Sequence, residues 1–168
     1  MDIAAMKIAV GTPPLLIANA EDAKTWRSDL MVMADVQPDC GSLGGLYTAV
    51  RAGSEPVLTV AWDMPFVPPD LLKALVDGAE GYDVFLPESG GRRGVEPLCG
   101  VYGPNCEDPI RQSLDDEDYQ AIGFHGAVRV GTLPLETVSS FGDPDTLFFN
   151  VNSAEELKTA EELWRQLA

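Results

Sequence analysis

Three polar side chains stand where predicted strands end, and each could bind a nucleotide or a metal ion. Asn19 ends the apolar segment 15–19, Asp35 follows the segment 30–34, and Asp63 follows the uncharged, β-branched segment 57–61. In an open α/β sheet, ligands bind outside the carboxyl ends of the strands. If these strands are parallel, the three side chains share one edge of the sheet and favour a site there. The alternative is that each residue only holds a turn, since Asn and Asp are common turn residues.

A glycine-rich turn follows Asp35 and opens a predicted helix. Its sequence, GSLGG, contains Gly41, Gly44 and Gly45. Glycines let the backbone approach a ligand closely, and a helix N-terminus favours anions. The turn lacks the G-x-x-x-x-G-K-[ST] pattern of a Walker loop, and no lysine lies near it. An ordinary turn is therefore the alternative interpretation.

Two further pairs of residues are candidates for binding a phosphate or a polar ligand. Arg92 and Arg93 lie in the loop 87–95, and adjacent arginines in an acidic chain could grip a phosphate in bidentate fashion. A solvated basic loop is the alternative. Asn150 and Asn152 precede the last predicted helix and could bind a ligand or hold a turn.

Composition excludes several classes of partner. The chain has 168 residues, 45% of them hydrophobic, which is enough for the core of one domain. Its net charge of −16 argues against binding of nucleic acid or anionic membranes, and a nucleotide would need a divalent cation between its phosphates and the protein. Three cysteines without CxxC spacing predict reduced thiols. The chain shows neither a transmembrane run nor a signal peptide, so we expect a cytoplasmic protein.

The alternation of strand-like and helix-like segments predicts an α/β sheet. Strands are predicted at residues 15–19, 30–34, 57–61, 84–86, 98–102, 128–132 and 147–150, and helices at residues 43–52, 71–77, 106–114 and 154–167. The last helix has a capping box, Ser153 with Glu156. Residues 3–10 could end a helix, or residues 6–10 could form a strand; the helix is favoured.

Five segments, taken in order, resemble the successive motifs of the molybdenum cofactor guanylyltransferases. They are LLIANA, Asp35 with GSLGGL, WDMPFVPPDLL, EPLCGVY and FFNVNSAEEL. The resemblance covers the chain from Leu15 to the C-terminus. Its specific parts are the DMPFVPP segment and the NVNSAEEL ending.

This resemblance implies a three-layer α/β/α Rossmann-like nucleotidyltransferase fold with a mostly parallel sheet, in one domain over residues 1–168. It implies transfer of GMP from GTP to molybdopterin, with release of pyrophosphate. By the same resemblance, Asp63 is the catalytic acid that holds Mg²⁺. The expected nucleotide-binding residues are Asn19, Asp35, Gly41, Gly44 and Gly45, and the expected pterin-side residues are Arg92, Arg93, Asn150 and Asn152.

The chain departs from the family pattern at its start. The family opens with a strand and a glycine-rich phosphate loop, L-A-G-G-x-S-x-R-M-G-x-D-K, and nothing in residues 1–14 matches it. Three explanations are open: a misassigned start, which is the simplest; residues 6–10 in the vacant strand position; or a homo-oligomer or partner chain that completes the sheet. We expect slow GMP transfer by these residues alone.

Other functions fit parts of the same pattern. A domain of this kind without its phosphate loop could be a non-catalytic nucleotide- or pterin-binding protein, or a scaffold for a partner enzyme. Within the enzymes, the alternatives are cytidylyl transfer to the same cofactor and guanylyl transfer to a small phosphorylated acid. The NVN ending favours the guanylyl branch, while Ser42 replaces the proline usual in that branch.

Overall fold

A computed structural model describes residues 3–167 of the chain. In this range helices and strands alternate, as the sequence predicted. The α-helices are α1 (Ile3–Val10), α2 (Ala23–Trp26), α3 (Gly41–Ala52), α4 (Pro69–Gly78), α5 (Glu107–Asp115), α6 (Leu135–Ser139), α7 (Pro144–Leu147) and α8 (Ala154–Leu167). The strands are β1 (Leu15–Ile17), β2 (Met31–Met33), β3 (Val57–Val60), β4 (Val84–Pro87), β5 (Cys99–Tyr102) and β6 (Val130–Leu133). Within residues 3–167, no helix combines the length and the apolar character needed to cross a membrane.

The strands form two sheets. β1 and β2 pair in parallel, with Leu15 opposite Met31 and Ile17 opposite Met33. The second sheet has the order β3-β5-β4-β6, in which β5 is antiparallel to both neighbours and β4 is parallel to β6. β3, β4 and β6 therefore run in one direction, and β5 is the antiparallel member of an otherwise parallel sheet.

The division into two sheets leaves β3 at an edge. All four of its residues are only half-buried, whereas every residue of β4 and β5 is buried. The uncharged, β-branched sequence of residues 57–61 predicts a strand buried on both faces, and this prediction is wrong because β3 lies at an edge. Residues 6–10 do not fill a strand position, because they lie in α1, which packs on α4. The helical interpretation of this segment is confirmed.

Helices cover both faces of the four-stranded sheet. Side chains of β4 alternate between two apolar clusters: Phe85 packs with Leu71 of α4, and Val84 and Leu86 pack on the other face with Leu43 of α3. This alternation places α1 and α4 in one layer and α3 and α5 in the other. The three-layer α/β/α fold is confirmed.

One predicted strand is wrong. Residues 147–150 are not a strand, because α7 ends at Leu147 and the following residues are irregular. Asp143 caps this helix by accepting a hydrogen bond from the Thr146 amide at 3.0 Å, and Pro144 stands at its first position, where proline suits a helix. The other predicted elements lie within two residues of their observed bounds.

Candidate functional site

Asn19 and Asp35 form a reciprocal pair. The side-chain amide of Asn19 donates to Oδ2 of Asp35 at 2.7 Å, and the backbone N–H of Asp35 donates to Oδ1 of Asn19 at 2.8 Å. The two residues lie just beyond the carboxyl ends of β1 and β2, which are parallel and in register. The shared strand end that the sequence predicted for these two residues is therefore confirmed.

The start of α3 faces the Asp35 carboxylate. A Cβ added to Gly45 would lie 3.7 Å from Oδ1 of Asp35, and one added to Gly44 would lie 2.9 Å from the carbonyl oxygen of Gln37. Gly44 is thus required by close packing of this turn. Gly41 has a φ of +59° and open space around it, so its glycine is required by backbone conformation.

A buried threonine fixes the Asp35 loop to this helix. The Thr48 hydroxyl accepts from the Val36 amide at 2.9 Å and donates to the Gly44 carbonyl at 2.9 Å. In this rigid setting Oδ1 of Asp35 is covered by protein, yet it has no hydrogen-bond partner among residues 3–167. Buried polar atoms are normally paired, so this unsatisfied oxygen is an unusual feature of the Asp35 loop.

Asp63 lies at a second strand end, within the turn that leaves β3. Its carbonyl oxygen accepts the Val151 amide at 2.9 Å. This hydrogen bond fixes the segment that contains Asn150 and Asn152 beside Asp63. The structure therefore brings one predicted metal residue and two predicted pterin-side residues into one neighbourhood.

Glu96 adds a second carboxylate near Asp63. Burial is the main reason why the pKa of Glu96 is raised, and the negative charge of Asp63 raises it further. The Leu98 amide, which donates to Oε1 of Glu96 at 3.0 Å, and the positive charge of Arg93 act in the opposite direction. The sequence analysis gave Glu96 no role. Partial burial distinguishes Glu96 from the exposed acids of this chain, and sequence spacing does not reveal that burial.

The donor set near Asp63 suits a hard cation that also has other ligands. In the part of the chain that the structure covers, no group of three or more His, Cys, Asp or Glu side chains is arranged to hold a metal ion. Mg²⁺ commonly binds proteins through one or two carboxylates and completes its shell with substrate phosphates and water. The carboxylates of Asp63 and Glu96 are oxygen ligands of the kind that such a cation accepts.

Arg92 and Arg93 line neither the cleft at Asn19 nor the cleft at Asp63. They occupy the tip of a hairpin closed by the bridge between Glu88 and Val95, and both are exposed. Neither arginine has an ion pair among the described residues. The hairpin still acts on the Asp63 region, because the positive charge of Arg93 lowers the pKa of Glu96.

Trp62 stands between two clefts. One, of about 220 Å³, is lined by Asn19 and its neighbours together with Trp26 and Trp62. The other, of about 430 Å³, is lined by Trp62, Asp63 and residues of α8. The rings of Trp26 and Trp62 stack with centroids 5.3 Å apart and planes 15° from parallel. Trp62 was missed by the sequence analysis, although its position next to Asp63 was a usable signal.

Solved structures establish the class of fold. The chain superposes on molybdopterin-guanine dinucleotide biosynthesis protein A from Archaeoglobus fulgidus with a TM-score of 0.79, at 23% identity, covering 96% of this chain and 86% of that one. It also superposes on a nucleotidyl transferase from Methanothermobacter with a TM-score of 0.62, at 21% identity, covering 99% and 81%. The architecture is that of the α/β nucleotidyltransferases.

Sequence relatives narrow this class to a family. Residues 4–128 match the model of the MobA-like NTP transferase domain. A probable molybdenum cofactor guanylyltransferase from Pelotomaculum thermopropionicum is 33% identical over 147 residues, covering 87% of this chain. Molybdenum cofactor guanylyltransferases from Desulfosudis oleivorans and Cereibacter sphaeroides are each 34% identical, covering 72% and 89% of this chain. The chain belongs to the MobA-like NTP transferase family. It spans 71%, 60% and 74% of the lengths of these three relatives.

Proposed function

We propose that this protein is a molybdenum cofactor guanylyltransferase, which transfers GMP from GTP to molybdopterin and releases pyrophosphate. The names of its relatives, at 33% and 34% identity over most of the chain, support this class of reaction. The observation that carries the nucleotide part is the Asn19–Asp35 pair just beyond the ends of the parallel strands β1 and β2, beside the glycine-rich start of α3. Ligands of open α/β sheets bind outside this end of the strands.

The reaction exchanges one phosphorus–oxygen bond for another. The terminal phosphate oxygen of molybdopterin attacks the α-phosphorus of GTP, the bond from that phosphorus to the bridging oxygen breaks, and pyrophosphate leaves. Asp63 would hold a magnesium ion, which when bound would offset the negative charge that opposes the attack. In this chain the need for a cation is strong, since its own net charge of −16 repels a triphosphate.

The chain's own residues divide into three groups by position. Asn19 and Asp35 orient the nucleotide, and the turn at Gly41, Gly44 and Gly45 lets the backbone come close to it. Asp63 holds the metal. The weaker assignments to the pterin side are Arg92, Arg93, Asn150 and Asn152, of which the two asparagines lie beside Asp63.

Calorimetry of GTP binding tests the role of Asp63. We expect Mg²⁺ or Mn²⁺ to strengthen GTP binding by the full chain, and Asp63→Ala to remove most of this effect. Asp70→Ala is the matched control, because Asp70 is exposed in the first turn of α4 and lines neither cleft. The same metal dependence in all three proteins would exclude Asp63 as the metal residue.

Pyrophosphate release from Mg²⁺-GTP in the presence of molybdopterin tests the transfer itself. A non-catalytic nucleotide- or pterin-binding protein, or a scaffold, would keep its affinity and show no turnover. A preference for CTP over GTP would indicate the cytidylyl alternative. The cytoplasmic location stays a prediction of the sequence.

A further inference from the structure

A cleft beside Asp63 is lined by residues of α8 that have no role in the proposed nucleotide site. We call it the α8 cleft; it lies between the segment 62–66 and α8 and has a volume of about 430 Å³. Its polar lining residues include Asp63 at one side and Glu161 of α8, and the rest is largely apolar. Small-molecule sites typically have this size and this mixture of apolar walls with few polar groups.

The aromatic walls of the α8 cleft are exposed but held in place. Trp164 is 57% exposed, and its ring lies 6.0 Å from the ring of the buried Phe66. Phe66 in turn contacts Phe149, with ring centroids 6.5 Å apart. Trp62, on the opposite side, is 65% exposed. Large apolar rings left in water forgo the free energy of burial, so a ligand that covers them gains it.

Glu161 supplies a directional group at this cleft. It is exposed, and it forms no ion pair or hydrogen bond in the part of the chain described. An ionised carboxylate with both oxygens available accepts two parallel N–H groups in a fork geometry. The amino-pyrimidinone edge of a pterin presents such a pair, its 2-amino group and N3–H, on a flat fused ring that aromatic side chains can stack against.

We propose that the α8 cleft binds the pterin ring of the acceptor, with Trp164 and Trp62 against the ring and Glu161 accepting hydrogen bonds from its amino-pyrimidinone edge. This inference rests on the proposed function and assigns a binding site to the acceptor of that reaction. It also differs from the sequence-based expectation, which put the pterin side at Arg92, Arg93, Asn150 and Asn152. Asp63, the proposed metal residue, lines the same cleft.

Guanine has the same hydrogen-bonding edge as a pterin, so the two ligands are assigned to their sites by the position of each cleft. The Asn19–Asp35 pair and the α8 cleft lie on different sides of Trp62, since Asn19 lines the smaller cleft and Glu161 the larger. Guanine and pterin, which share one hydrogen-bonding edge, thus have two separate binding sites. Pterin binding at the α8 cleft should therefore persist when Mg²⁺-GTP is present.

Calorimetry with pterin itself, in the absence of GTP and metal, tests the inference on the full chain. Glu161→Gln should weaken pterin binding about tenfold, because a hydrogen bond to a charged group is lost. Glu162→Gln, on the next and equally exposed position of α8, is the matched control and should change nothing. Trp164→Leu should weaken binding at least about fivefold by removing the stacking face, and Trp164→Phe should restore part of it.

Four results would overturn the proposal. They are the absence of pterin binding by the unmodified chain, equal affinities for Glu161→Gln and Glu162→Gln, competition between pterin and Mg²⁺-GTP for one site, and a dimer that Trp164→Leu dissociates without changing pterin affinity. The proposed function is tested by separate outcomes. Pterin binding without GMP transfer would refute the transfer alone, whereas GMP transfer unaffected by Glu161→Gln and Trp164→Leu would refute the α8 cleft alone.

Discussion

The carboxylate of Asp83 connects three parts of the chain at the start of β4. It accepts hydrogen bonds from the backbone N–H of Arg129 at 2.9 Å, from the Arg129 guanidinium at 3.2 Å, and from the side-chain amide of Asn105 at 2.8 Å. Its backbone carbonyl also accepts the Gly103 amide at 2.7 Å. Nothing in the local sequence around Asp83 announces this role, because all its partners are distant in the chain.

Asp83 makes the stability of the protein depend on pH in the acid range. The hydrogen bonds from Arg129 and Asn105 hold the pKa of this carboxyl well below its usual range. Its contribution to the free energy of unfolding is therefore complete above the unfolded pKa of about 3.9, and it is lost as the pH falls towards the folded value. We expect Asp83→Asn to be less stable than the unmodified chain at about pH 6, and the difference to shrink by about pH 3.

Urea unfolding at the two pH values measures this difference. Asp22→Asn is the control, because Asp22 precedes α2 without a side-chain capping bond. A gap between Asp83→Asn and the unmodified chain that is the same at both pH values would show that the Asp83 charge is not responsible. For the cysteines the local signal was sufficient: their spacing predicts reduced thiols, and all three are unpaired and also buried.

At the scale of the elements, a glycine in β5 lets two strands and their side chains pack closely. A Cβ added to Gly100 would collide with the Leu86 side chain and lie 2.9 Å from the Phe85 carbonyl oxygen. Both neighbours belong to β4 in the middle of the buried sheet, where neither backbone nor side chain can move away cheaply.

Gly100→Ala should therefore lower the free energy of unfolding by about 1–3 kcal/mol, the usual cost of overpacking a core. Gly126→Ala is the matched control, because a Cβ there meets nothing within 4 Å. Thermal and urea unfolding of the two variants compare the sites directly. Equal stability of the two variants would mean that the sheet adjusts around a methyl group at Gly100.

Elements whose signals are local could be predicted from the sequence, and those that depend on distant contacts could not. The start of α8 was predicted because Ser153 and Glu156 lie three positions apart, as in a capping box; the Ser153 hydroxyl accepts the Glu156 amide at 3.2 Å. Residues 147–150 were mistaken for a strand because Leu147 and Phe148 are apolar and buried. Their burial comes from packing between layers, which apolar character alone does not distinguish from strand pairing.

In the candidate site, too, the features with local signals were predicted and those that depend on distant contacts were not. The sequence placed Asn19 and Asp35 at one sheet edge because strand ends can be recognised locally. It could not foresee that the two side chains bond each other, nor that Trp62 separates them from the cleft at Asp63. Those relations depend on the relative placement of β1, β2 and β3, which sequence spacing does not give.

The whole molecule carries two sheets, and β1 and β3 each have one edge that is unpaired within residues 3–167. β1 pairs with β2 and β3 pairs with β5, and no further strand pairs with either among these residues. An open edge presents backbone donors and acceptors to which another chain can add a strand. The net charge of −16 opposes such association through mutual repulsion, and salt screens that repulsion.

We therefore expect the isolated chain to self-associate, and to do so more strongly at high salt than at low salt. Light scattering over a wide concentration range measures this. Ile17→Lys, at the end of β1, should reduce association because a lysine on an edge strand disfavours pairing. Ile8→Lys is the control for simple apolar contact, since Ile8 is exposed and lies in α1, not in a strand. A monodisperse monomer at all concentrations and salt levels, or an equal effect of the two substitutions, would show that the strand edges do not drive association.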